Sequence, residues 1–189
     1  MEDPAGRNEI PYHHHRHPDN RRILTLNLNA NSNVDELLML NHDAIDYQKL
    51  PDDVLRELAL EVEPFIATSA LSELSIRRSE LAGNTAWTLL TRPESDRHLR
   101  AAALGVLFKF DPDRAATHMR DRLAECDAGL TATMMEIVLE NREFFAHGPF
   151  ARLPHELATC VEGEQRAAPS ADPDVTHLFL RLFGRAGIA

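Results

Sequence analysis

Ala70-Leu71-Ser72-Glu73-Leu74 and Ala103-Leu104-Gly105-Val106-Leu107 decide the fold, because the second stretch repeats the first at an offset of 33 residues. The same offset lays Ala82 on Ala115 and Leu90 on Leu123. Every match is a small or apolar residue at helical spacing. A unit of this length holds two helices, which is how α-solenoid repeats are built. Stacked units bury a continuous core and leave long faces open to partners.

The residues around these two stretches carry the helical pattern onward. Ser32 or Asn33 is expected to start a helix over about 34–46, with Val34, Leu37, Leu38 and Ile45 on it. Asp52 is expected to cap a second, with Val54, Leu55, Leu58, Ala59 and Val62 on one face. Pro64 suits the first position of a third, running to about Ile76, and residues 79–91 form its partner. Leu99, Ala102, Ala103, Val106, Leu107 and Phe110 mark a strong amphipathic helix. Asp111-Pro112 then stops it and starts the next, which carries Ala115, Ala116, Met119 and Leu123. Leu130, Met134, Ile137 and Val138 place another helix, to about Glu143. Pro154–Val161 reads as a short helix stopped by Gly163, and 163–171 as a polar linker. Pro173 restarts a last helix with Val175, Leu178, Phe179, Leu182 and Phe183 inward.

Residues from about 66 to 126 resemble HEAT-like repeats, a family of paired-helix solenoids. The carriers are Ala70-Leu71-x-x-Leu74, its copy Ala103-Leu104-x-x-Leu107, and Asp111-Pro112-Asp113 as the acidic turn between two helices. The resemblance covers about a third of the chain. It implies a stacked helical scaffold of a kind that mostly binds proteins or nucleic acids and in a few cases acts enzymatically. The expected fold is therefore all-α, a short curved stack of about eight helices. Residues 1–22 form a disordered or loosely attached arm, and 23–189 a single helical domain. Within that domain Leu24, Leu26 and Leu28 alternate with polar residues, as in an extended segment.

Composition narrows the functions. The chain has 189 residues and a net charge of −10, with 43% hydrophobic but only 6% aromatic residues. Alanine and leucine dominate, which favours helices over sheets. No apolar run approaches the roughly 18–20 residues that span a bilayer, and no secretory signal opens the sequence. Cys126 and Cys160 lack CxxC spacing and read as reduced thiols, which places the protein in the cytoplasm. Residues 34–63 hold nine acids against Lys49 and Arg56, a balance of −7. Residues 64–127 hold nine acids and nine bases. An acidic block of this density repels phosphate backbones and attracts basic surfaces.

Several strings invite a chemical reading. His13-His14-His15-Arg16-His17 could ligate a metal, but nothing around it fixes a geometry. His42-Asp43, with Asp46 four residues beyond His42, resembles part of the His-Asp set of helical phosphohydrolases. His155-Glu156-Leu157-Ala158-Thr159 opens like a zinc-protease helix, yet Thr159 stands where the second histidine belongs. Arginines 77, 78, 92, 97, 100, 114, 120 and 122 cluster in the repeat region, as on some DNA glycosylases, but an equal number of acids offsets the bases there. No phosphate-cradling glycine loop and no GxSxG elbow occurs. Trp87, the single tryptophan, is either a packing residue or an anchor in a binding groove.

The sequence thus points to a non-enzymatic protein-binding module with no metal or cofactor. Its partner is expected to be another protein with a basic surface, not nucleic acid and not a membrane. The candidate contact residues are Asp52, Asp53, Glu57, Glu61 and Trp87. A narrower expectation is an acidic inhibitor, such as an immunity-type protein that neutralises a basic toxin. The competing classes are a helical enzyme, of the phosphohydrolase or glycosylase kind, and a structural assembly subunit.

Overall fold

The computed structural model describes residues 34–39, 42–61, 63–125, 128–165 and 173–184. The 1–22 arm, the His13–His17 string, the Leu24–Leu28 segment, Val62, Cys126 and most of the 163–171 linker lie outside them. The fold is all-α, with no strand among the described residues. Its α-helices are α1 (Val34–Leu38), α2 (Asp52–Ala59), α3 (Pro64–Ile76), α4 (Leu81–Thr91), α5 (Arg97–Phe110), α6 (Pro112–Asp121), α7 (Ala128–Glu140), α8 (Arg142–Ala146), α9 (Leu153–Gln165) and α10 (Pro173–Phe183). Short 3-10 turns lie at His42–Ala44, Tyr47–Lys49, Leu123–Glu125 and Gly148–Phe150.

The two matched stretches lie inside the two long helices α3 and α5. The third and fifth helices begin at Pro64 and Arg97, 33 residues apart. Ala70, Leu71, Leu74, Ala103, Leu104 and Leu107 are all completely buried, as are Ala82 and Ala115. Leu90 is buried, while its counterpart Leu123 is half-buried in the 3-10 turn after α6. Helices α3, α5 and α6 start where a side chain satisfies orphan N–H groups. Glu63 accepts from Ile66 N at 2.6 Å, ahead of Pro64. Asp96 accepts from His98 N and Leu99 N, both at 2.9 Å. Asp111 ends α5 and also caps α6, accepting from Arg114 N at 3.1 Å, with Pro112 in the first turn.

One layer runs α3 on α5, α5 on α7 and α7 on α9, while α2 packs on α4 beside it. The closest partner of α4 is α5, not the α3 that precedes it. Gly83 permits that approach, since a Cβ there would lie 3.2 Å from Phe110 Cβ. The buried apolar residues form one cluster from Leu37 to Phe179. Phe108 of α5 meets Phe144 of α8 edge-on at 5.3 Å, and Phe144 stacks on Phe150 at 5.8 Å. This aromatic knot joins α5, α8 and the Gly148–Phe150 turn.

Four local expectations are corrected. The helix over 34–46 ends at Leu38, and the described residues that follow form 3-10 turns at His42–Ala44 and Tyr47–Lys49, in a stretch whose Asp43 and Asp46 are weak helix formers. Asp52 does not cap α2; Pro51 occupies that position, and Asp52 lies in the first turn. Gly163 does not stop α9, which runs on to Gln165. Leu182 is exposed; Phe179 and Thr176 are the buried residues of α10.

Candidate protein-binding surface

The acidic block folds into two populations of carboxylates. The first is consumed by the fold. Arg77, at the C-terminal end of α3, is the hub. Its Nε donates to Glu73 Oε1 at 2.8 Å and its Nη1 to Asp52 Oδ1 at 3.1 Å. Nη1 also donates to the Leu50 carbonyl at 2.7 Å, and Nη2 to the Tyr47 carbonyl at 2.8 Å. One guanidinium therefore ties the 3-10 turn, the approach to α2 and the first turn of α2 onto α3. These carboxylates, Glu73 first, hold Arg77 above the usual arginine range despite the opposing effect of burial. Asp46 pairs with Lys49 at 2.7 Å, and Glu63 caps α3.

The second population faces outward. Asp53 and Glu57 are exposed, one helical turn apart on α2, and Glu61 follows at the same spacing just past the helix end, half-buried. None of the three has an ion pair among the described residues. Two like charges at i and i+4 repel by roughly 0.2–0.5 kcal/mol. The one base on α2, exposed Arg56, forms no ion pair with either of them. Val54, Leu55, Leu58 and Ala59 hold the opposite face of α2 in the core, which fixes the helix that carries the acids. Large apolar side chains are exposed on neighbouring elements: Met39 after α1 at 89%, and Phe65 and Ile76 on α3 at 69% and 73%.

Trp87 sits on α4 and faces α6. The Arg114 guanidinium lies over its ring at 3.9 Å, and His118 meets it edge-on at 5.7 Å. The structure thus brings Asp53, Glu57 and Glu61 together, turns Asp52 toward Arg77, and gives Trp87 a packing partner on each of two neighbouring turns of α6.

The His13–His17 string lies outside the described residues. His42 begins a 3-10 turn and Asp46 lies beyond it, so the pair does not share a helix face. His155 Nδ1 lies 2.9 Å from the Phe183 carbonyl, and its ring meets Phe183 edge-on at 5.8 Å, joining α9 to the end of α10. Thr159 donates to the His155 carbonyl at 3.0 Å. Among the arginines, Arg92 donates to the Leu60 carbonyl at 2.6 Å, beyond the C-terminal end of α2. Arg78 takes a left-handed backbone at φ 55° to close α3, with Ser79 N donating to the Leu74 carbonyl at 3.0 Å. Among the described residues no group of three or more His, Cys, Asp or Glu is placed to hold a metal ion. Nor is any helix there long and apolar enough to cross a membrane.

Sequence reasoning missed Arg77 as a structural hub, since three of its partners lie 25, 27 and 30 residues upstream. The run Glu73-x-x-x-Arg77 was the one local signal, an i,i+4 pair of complementary charge. No family model matches the chain, and neither a curated protein nor a solved structure does.

Proposed function

We propose that this protein is a cytoplasmic, non-enzymatic binding module of HEAT-like helical pairs whose acidic α2 face docks on a basic protein. The observation that carries the reading is the Asp53–Glu57 pair: two exposed, like-charged carboxylates on a helix whose other face is core. Glu61 follows at the same spacing, and Phe65 and Met39 are exposed on neighbouring elements. Charge of one sign around apolar anchors suits fast association followed by tight packing. The narrower form is an immunity-type inhibitor, in which the acidic face covers the basic working surface of a toxin. Trp87, braced by Arg114 and His118, is a secondary candidate contact.

Affinity capture tests the reading. The full chain and an Asp53→Lys/Glu57→Lys variant are immobilised and exposed to lysate of the source cells, and bound proteins are eluted with salt and identified. The expected result is a basic protein held by the first and lost by the second. Equal retention by both, or retention of acidic proteins alone, would remove the reading. A structural assembly subunit is the second reading, favoured by the exposure of Phe65 and Ile76 on one helix. It calls for self-association that Phe65→Ser abolishes, read by light scattering on a sizing column.

A further inference from the structure

A groove of about 590 Å³ lies between α5 and α7, which pack on one another in the middle of the layer. Ala102, Gly105, Val106 and Lys109 line it from α5. Thr133, Glu136, Ile137 and Glu140 line it from α7 at the same spacing. Positions i, i+3, i+4 and i+7 form one stripe along a helix, here about 10 Å long on each side. The floor is small and apolar. Val106 and Ile137 are buried, and Thr133 spends its hydroxyl on the Gly129 carbonyl at 3.3 Å. Gly105 lies in the interior of α5, where glycine weakens a helix. Nothing stands within 4 Å of a Cβ added there, so packing inside this chain does not require it. The rims carry unlike charge. Lys109 is exposed on the α5 side, Glu136 and Glu140 on the α7 side, and none of the three is in an ion pair among the described residues.

We propose that this groove holds an amphipathic helix of a partner protein, with small and apolar side chains on the α5–α7 floor and lysines or arginines along the edge that meets Glu136 and Glu140. Three observations select that occupant. Both walls are helices and offer no strand edge, so an extended peptide would leave its own N–H and C=O groups unpaired, whereas a helix pairs them internally. Ala102 and Gly105 let a second helix backbone come close. The two carboxylates of the α7 rim call for bases, and Lys109 across from them favours an acidic or neutral edge. The groove belongs to α5 and α7, so it stands or falls independently of the acidic α2 face.

Fluorescence anisotropy of the full chain tests the proposal with a labelled synthetic peptide of about 15 residues, held helical by a side-chain lactam, with Ala and Leu on one face and Lys along one edge. This peptide is expected to bind, and the same peptide with Glu in place of Lys to bind at least tenfold more weakly. Gly105→Leu projects into open space, so it is expected to keep the parent melting temperature, to fill the groove and to lose at least tenfold in affinity. Glu136→Gln/Glu140→Gln alters exposed groups and is expected to lose several-fold at low salt. Lys109→Gln is expected to bind no more weakly than the parent. Asp53→Lys/Glu57→Lys is expected to bind as the parent does, which separates this groove from the α2 face. No binding at millimolar protein, or unchanged affinity in Gly105→Leu or in Glu136→Gln/Glu140→Gln, would overturn the site. So would a loss confined to Asp53→Lys/Glu57→Lys. Equal affinity for the Lys and Glu peptides would overturn the basic edge of the occupant.

Discussion

The middle of the molecule and its α2 edge use charge in opposite ways. From α3 to α6 arginines serve packing: Arg77 gathers three segments, Arg92 holds a carbonyl near the end of α2, and Arg114 covers Trp87. On α2, adjacent residues divide the two uses between them. Asp52 turns to Arg77, while Asp53 faces solvent with Glu57. Net charge counted along the sequence cannot separate these uses. A carboxylate in an ion pair belongs to the fold, and one that repels its neighbour on an open face is available to a partner.

The largest effect is expected in the repeat core. Leu71→Ala and Leu104→Ala remove completely buried side chains at equivalent places, and each is expected to cost about 2–5 kcal/mol in chemical denaturation. Similar losses at both sites support the equivalence of α3 and α5. Near-neutral effects at both would break it.

Next comes the hub. Arg77→Ala leaves two backbone carbonyls and two carboxylates without their donor, and is expected to cost about 2–3 kcal/mol. Hydrogen exchange is expected to accelerate in α2 more than in α7. A cost below about 0.5 kcal/mol, the usual bound for an unremarkable surface change, would mean that the hub carries no stability.

Smaller effects of opposite sign are expected where the fold departs from local preference. Gly163 lies in α9 with nothing within 4 Å of an added Cβ, so Gly163→Ala is expected to stabilise by about 0.5–1 kcal/mol. Arg78 holds a positive φ that glycine adopts without strain, so Arg78→Gly is expected to gain up to about 1 kcal/mol. A loss of melting temperature in either variant would contradict the backbone reading of that position.

The local chemistry of some helix starts was legible in the sequence, whereas Pro51 stands where Asp52 was expected as a cap, and the Glu63 and Asp96 caps were not foreseen. Pro64, Asp111 and Pro112 stand where their stereochemistry predicts, and Leu71, Leu74, Leu104 and Leu107 at the 33-residue offset are core, while Leu123 is half-buried. Legibility ended where a contact spans more than one turn. Nothing near Arg77 in the chain reveals Tyr47 or Leu50 as partners, and nothing near Gly163 reveals that α9 continues past it, packed on α7 and α10. The aromatic knot of Phe108, Phe144 and Phe150 joins residues with no shared period. On α2, the sequence located the acidic block but did not sort it. The sorting of Asp52 from Asp53 depends on which side of α2 meets Arg77.

The smallest expected stability change accompanies the most direct test. Asp53→Lys/Glu57→Lys alters exposed groups and is expected to leave stability within about 0.5 kcal/mol, because surface charges contribute little to folding. With the captured basic partner in hand, stopped-flow association is measured for the parent and this variant at low and high salt. The account expects the variant to associate at least tenfold more slowly at low salt, with a flattened salt dependence. An unchanged rate and an unchanged salt slope would contradict it, and would reduce the acids of α2 to a solvated face.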